Sequence, residues 1–156
     1  MFQALKDNFS LKGLLMVAVI LFPSILMAFF PPQDASAASS GLLLTILENL
    51  GRIAVIAILL FSAQSFDRKI DIWFGLACLF AALYYAGWAR YFFAGQTHEL
   101  LYQPFLAVPV PLAIFPVLAL AFLAIWARSI PLCIATLIMA LGHIPASYSI
   151  YREVAR

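Results

Sequence analysis

Charge is what the sequence lacks most. Only 10% of its 156 residues are Asp, Glu, Lys or Arg, whereas 65% are hydrophobic. A soluble domain typically carries about 25% charged residues. Because so few charges cannot cover a globule of this size in water, the composition excludes an ordinary soluble domain and predicts an integral membrane protein.

The motifs of common catalytic and metal sites are also missing. We find no phosphate-binding glycine loop, nucleophile elbow or zinc-protease helix motif. Cys78 and Cys133 each stand alone in an apolar run, so we expect them to be small buried packing residues rather than metal ligands. The nine basic residues form no cluster, which argues against nucleic-acid binding. The sequence predicts neither a cofactor nor a metal, and it assigns no catalytic residue.

Five long hydrophobic runs are present, at residues 13–30, 41–62, 72–94, 109–127 and 130–150. Each approaches or exceeds the ~20 residues that a membrane-spanning helix needs. Helices are the default for such runs because the backbone in lipid must satisfy its own hydrogen bonds. The short linkers favour antiparallel neighbours. We therefore predict one all-α integral membrane domain over residues 1–156, with five transmembrane helices in an antiparallel bundle.

The first run has an alternative interpretation as a signal peptide. Lys6 and Lys12 precede it, and Ala35-Ser36-Ala37 resembles a signal-peptidase site. The apolar run is about 18 residues long, whereas a signal core usually has about 7–15. We therefore favour a retained helix.

The orientation follows from the lysines and arginines. They concentrate in the N-terminal segment and in the second and fourth loops, at Lys6, Lys12, Arg68, Lys69 and Arg128. Cytoplasmic loops carry an excess of basic residues. The pattern predicts a protein of the bacterial cytoplasmic membrane with a cytoplasmic N-terminus and an external C-terminus, although Arg152 and Arg156 disagree with it.

The second run places charges where lipid is expected, in the stretch TILENLGRIAVI. Glu48 and Arg52 lie four residues apart, with the acid first, which is the favourable order for an ion pair on one helical face. Asn49 flanks them. Ionisable residues inside a membrane are by default candidates for function. The alternative is that this pair only holds helices together.

Further polar side chains occur in the third and fifth runs. Tyr84 and Trp88 share a helical face, and Arg90 lies near the same end of its helix. They suit the walls of a ligand site, or alternatively an aromatic belt with a cation at the membrane surface. His143 precedes Pro145 by two residues, and a histidine beside a disrupted helical turn can bind a ligand or relay protons. It can equally be a hydrogen-bonded packing residue.

The fourth run follows a proline-rich stretch, LLYQPFLAVPVPLAIFP. Four prolines cannot all lie inside one regular helix. We expect the helix to begin near Pro109 or Pro111, residues 100–108 to be partly non-helical, and residues that precede a proline to be extended. The fourth helix is thus predicted to be proline-broken at its outer end.

Five spans place these polar residues in the outer half of the bundle. The candidate ligand-binding residues are Glu48, Asn49, Arg52, Tyr84, Trp88, Arg90 and His143. We favour a protein that binds or transports a small amphipathic or anionic ligand. The alternatives are an accessory or structural membrane subunit, and a lipid-modifying enzyme with Glu48 or His143 as general base. The bilayer is the expected partner, with a small molecule or lipid as ligand, and self-association or a partner membrane protein is left open.

Overall fold

The protein is all-helical over the residues that the computed structural model describes, namely 9–34 and 41–154 without the side chains of residues 63 and 64. The five α-helices in these ranges are α1 (Leu11–Phe29), α2 (Leu42–Phe61), α3 (Ile72–Phe93), α4 (Pro111–Ala127) and α5 (Ile130–Val154). Short 3-10 turns follow α2 (Ala63–Phe66) and precede α4 (Glu99–Leu101). Each apolar run thus forms a helix, as predicted. Lys6, the Ala35-Ser36-Ala37 motif and Arg156 lie outside the described residues.

Four helices, α1, α2, α3 and α5, are long and apolar enough to cross a membrane, whereas α4 is shorter, with 17 residues. Large apolar side chains lie on the outer surface of the bundle. Leu11 is 75% exposed, Leu42 77% and Phe93 91%. Soluble monomers rarely expose large continuous apolar patches. The surface therefore indicates a membrane environment.

Helix α4 lies at the centre of the bundle. It packs against α3 and α5, while α2 packs most extensively against α5. Phe115, Leu120 and Ala124 are almost completely buried along its length. A helix that is apolar on every side suits such a buried position. Helix α1 is peripheral, with only Gly13, Val17 and Pro23 buried.

Polar side chains define where three of the helices begin. The Ser10 hydroxyl accepts a hydrogen bond from the Gly13 N–H (2.9 Å) at the start of α1. The Asp71 carboxylate accepts bonds from the backbone of the first turn of α3. The Ser129 hydroxyl accepts one from the Leu132 N–H (3.3 Å) in α5. Each satisfies backbone donors that a helix start leaves unpaired.

The segment before α4 is irregular, and the helix begins at Pro111, as predicted. Leu106 (φ 53°), Ala107 (φ 62°) and Val110 (φ 42°) adopt left-handed backbone. The prediction that residues before prolines are extended is wrong for Val110. Its side chain is only 1% exposed, so burial in the bundle overrides the local preference of a β-branched residue.

The two cysteines differ from the sequence prediction. Cys78 and Cys133 are exposed and unpaired, not buried. An apolar run that is embedded in lipid gives no indication of which side faces the protein, because both faces meet apolar surroundings. Both thiols are therefore on the outer surface of the bundle.

Helices α2 and α5 approach closely at two glycines. A Cβ atom on Gly51 would lie 2.3 Å from the Met139 backbone nitrogen, and one on Gly142 would lie 2.3 Å from the Glu48 backbone nitrogen. Small residues permit such backbone contact between membrane helices. The glycines therefore set the distance between α2 and α5.

We predict that Gly51→Ala lowers the unfolding temperature in detergent, because the new methyl group must push α5 away. Gly75→Ala in α3 is the matched control, since a Cβ there meets nothing within 4 Å. This control should be neutral or stabilising by about 0.5–1 kcal/mol, the usual gain from removing glycine within a helix. Equal unfolding temperatures for the two variants would contradict the close approach.

Candidate functional site

The close approach of α2 and α5 at Gly51 and Gly142 brings charged groups from the two helices together. Arg52 follows Gly51 on α2, and His143 follows Gly142 on α5. The Glu48 Oε1 atom accepts a hydrogen bond from Arg52 Nη2 and lies 3.1 Å from His143 Nδ1. One carboxylate oxygen therefore contacts both basic side chains.

The three residues of this cluster, Glu48, Arg52 and His143, are exposed to different extents. The side chains are 18% exposed for Glu48, 23% for His143 and 44% for Arg52. Glu48 is thus the enclosed member, and its charge is compensated by direct contacts. Enclosing an isolated carboxylate in this way would cost free energy, whereas contact with a guanidinium reduces that cost.

A cavity of about 300 Å³ lies beside the cluster, and all five helices line it. Arg52 and His143 contribute to its wall, but Glu48 does not. The remaining wall is mostly apolar and includes Val17, Ile20, Leu21, Met27, Val55, Ile56, Leu59, Leu112, Leu120 and Met139. The volume lies at the lower end of the range for small-ligand pockets, about 300–1,000 Å³.

Two aromatic side chains of α3 form another part of this wall. The rings of Tyr84 and Trp88 meet edge to face, with centroids 6.2 Å apart. The Tyr84 hydroxyl lies 3.3 Å from the Ile20 carbonyl oxygen and 3.5 Å from Ser24 Oγ. Trp88 is only 6% exposed, and its indole N–H is enclosed by protein without a hydrogen bond of ordinary geometry within the described part of the chain.

Asn49 and Arg90 do not reach the cavity. Asn49 is exposed on α2. The Arg90 guanidinium donates to the Pro104 carbonyl oxygen (3.0 Å) and to the Gln103 side chain, and it lies 6.0 Å from the centre of the Phe105 ring. The structure therefore places Arg90 as an anchor for the irregular segment before α4.

Three polar residues of the cavity wall were not among the candidates, namely Ser24, Tyr102 and Ser147. Ser147 shares a helical face with His143, four residues earlier, so its position follows from helical spacing. Tyr102 comes from the irregular segment and could not be placed from sequence. Burial raises the pKa of its hydroxyl, and the negative charge of Glu48 acts in the same direction. The hydroxyl therefore stays neutral at physiological pH.

The described residues contain no group of three or more His, Cys, Asp or Glu side chains able to hold a metal ion. Comparison with protein-family models, curated proteins and solved structures gave no significant match for this chain. The chemistry of the cavity therefore has to be inferred from its own residues.

We predict that Glu48→Gln lowers the free energy of unfolding in detergent by about 2 kcal/mol, because hydrogen bonds to charged groups contribute about 1.5–3 kcal/mol. The substitution keeps the shape but leaves Arg52 and His143 without a carboxylate. The neighbouring Asn49→Ala is the control and should change stability by less than about 0.5 kcal/mol. A loss of equal size in both variants would show that the cluster does not stabilise the α2–α5 contact.

Proposed function

We propose that this protein is an integral membrane protein that binds or transports a small amphipathic molecule with an anionic group, held in the cavity beside Arg52. The observation that carries the proposal is the combination of an apolar cavity of about 300 Å³ with the partly exposed Arg52 guanidinium in its wall. Ligand sites in proteins combine apolar walls with a few convergent polar groups in this way.

The polar groups of the wall favour a ligand that accepts hydrogen bonds. Arg52 carries donors only, and its guanidinium has five N–H groups. Contact with Glu48 uses Arg52 Nη2 and leaves other donors of the guanidinium for a ligand. A carboxylate or phosphate oxygen would meet these donors, while an aliphatic or aromatic body would lie against the apolar wall.

The cavity favours ligand binding over the two alternatives. An accessory subunit whose polar groups only join helices would gain stability by filling this space, because cavities cost free energy. A lipid-modifying enzyme would need its general base to face the substrate. Glu48 is not part of the cavity wall, and only His143 would remain for that role.

The orientation that fits the basic residues has the N-terminus in the cytoplasm and five antiparallel spans. Helix α4 completes the five although its 17 residues correspond to only about 26 Å at 1.5 Å per residue. Its burial among neighbouring helices removes the need to match the bilayer thickness of about 30 Å. In this orientation the polar lining residues Tyr84, Tyr102 and Ser147 lie toward the external side, and a ligand reaches the cavity from there or from the outer leaflet.

We predict that octanoate raises the unfolding temperature of the detergent-solubilised protein, whereas octanol of the same chain length raises it much less. The carboxylate meets Arg52, whereas the alcohol supplies no charge. Arg52→Ala should remove the difference between the two compounds. Thermal unfolding followed by intrinsic fluorescence or calorimetry measures these shifts.

The matched control for this experiment is Arg152→Ala, an exposed arginine in the last turn of α5. It should leave the octanoate shift unchanged. Equal shifts with octanoate and octanol in the unaltered protein, or equal loss in Arg152→Ala, would overturn the proposal for an anionic ligand.

We predict that an impermeant maleimide labels Thr97→Cys and Glu153→Cys from outside intact spheroplasts, but Asp67→Cys only after permeabilisation. Cys78 and Cys133 are first replaced by alanine, so that each variant carries one thiol. Labelling of Glu153→Cys in the same manner as Asp67→Cys would mean that α4 does not cross the membrane. Labelling of Thr97→Cys only after permeabilisation would show that the protein has the opposite orientation.

A further inference from the structure

A second cavity, of about 470 Å³, lies between α1, α3 and α4 and differs from the first in chemistry. Its apolar lining includes Leu15, Ile70, Ala81 and Trp126. Its basic side chains are Lys12 and Arg68. We call this cavity the lateral groove.

The lateral groove is open on one side. Leu15 is 65% exposed and Ile70 is 77% exposed, although both line it. Helices α1 and α3, which form its two edges, are both long and apolar enough to cross a membrane. The opening between them therefore faces the hydrocarbon of the bilayer.

A basic pocket adjoins one end of the lateral groove. It is lined by Arg68, Lys69, Asp71, Trp73, Ile125, Trp126 and Arg128. Arg68 and Trp126 line both spaces, so the groove and the pocket are adjacent. Trp126 also holds the loop of the basic pocket, because its Nε1–H donates to the Lys69 carbonyl oxygen (3.0 Å).

The basic pocket carries a net positive charge within the described ranges 9–34 and 41–154. Asp67 pairs with Lys12 at 3.0 Å, and the Asp71 carboxylate accepts the N–H groups of Trp73 and Phe74. The exposed side chains of Arg68, Lys69 and Arg128 have no ion-pair partner there. Asp71 also lines the pocket and keeps its negative charge, so three cations and one carboxylate leave the lining with a net charge of +2.

We propose that an anionic phospholipid occupies this site, with an acyl chain in the lateral groove and its phosphate in the basic pocket. The acyl chain gains little by leaving other lipid, because groove and bilayer are equally apolar. Preference for this lipid must therefore come from attraction between its negatively charged headgroup and the guanidinium groups of Arg68 and Arg128. Basic pockets between membrane helices are typical binding places for acidic headgroups.

This inference does not rest on the proposed function. The lateral groove shares only Ile20 and Leu120 with the cavity beside Arg52, and none of the charged residues. Failure of lipid binding would leave the octanoate prediction intact, and the reverse also holds.

The test measures lipid retention by native mass spectrometry after purification, with phosphatidylglycerol and phosphatidylcholine added in equal amounts. The unaltered protein should retain phosphatidylglycerol preferentially. The double variant Arg68→Gln/Arg128→Asn should lower this preference by about fivefold for each cation removed. Asparagine is chosen because it tolerates the left-handed backbone at position 128 (φ 50°).

Arg152→Gln is the control for general surface charge and should retain the preference for phosphatidylglycerol. Ala81→Phe narrows the lateral groove without altering any charge, and it should reduce the number of bound lipids. Soluble glycerol phosphate should not displace the lipid, because it has no acyl chain. Equal retention of the two lipids, an equal loss in Arg152→Gln, full binding in Ala81→Phe or displacement by glycerol phosphate would each overturn the proposal.

Discussion

The close approach of α2 and α5 is the constraint on which the rest of the structure depends. Gly51 and Gly142 leave no room for a side chain between the two backbones, so the residues beside them are brought into contact. This is why Glu48 on one helix lies 3.1 Å from His143 on the other. Apolar side chains gain little from association within lipid, so packing and polar contacts decide which helices pair. The glycines permit the short distance between α2 and α5, and the charged cluster is stabilised by that distance.

The same geometry explains why Arg52 and His143 line the cavity whereas Glu48 does not. Glu48 is enclosed at the helix crossing and contacts both of its basic partners, whereas Arg52 remains 44% exposed. A guanidinium held at one end by a carboxylate is fixed in orientation, and its remaining donors are available without further loss of side-chain freedom. Tyr84 and Trp88 approach from α3, which packs on α4. The cavity beside Arg52 is thus bounded by two helix pairs, α2–α5 and α3–α4, together with α1.

Much of this fold follows from the sequence because the backbone in hydrocarbon must satisfy its own hydrogen bonds, which favours helices. The five helices coincide with the five apolar runs, and Pro111 marks the start of α4 as its missing N–H requires. The Glu48–Arg52 contact also follows from spacing within one helix. Contact with His143 could not be predicted in the same way, since it depends on which helices pair. The glycines that precede Arg52 and His143 were the available signal, because small residues mark close helix contacts. The positions of Asn49 and Arg90 outside the cavity wall have a related cause. Successive helical residues are about 100° apart, so Asn49 is turned away from Glu48, and Arg90 lies about 200° from Trp88.

The persistence of an open cavity beside a charged cluster is the strongest argument that this region does more than hold helices together. Replacing ionic groups in a protein interior by well-packed apolar residues is often neutral or stabilising. Filling a cavity stabilises as well. A chain selected for packing alone could have done both, with leucine at positions 48 and 52 and a larger side chain at position 147. It instead has a carboxylate, a guanidinium and an imidazole beside about 300 Å³ of space, with the guanidinium and the imidazole in the cavity wall. A ligand that meets the guanidinium and fills the volume would account for the open space, whereas the contact between the two helices alone does not require it.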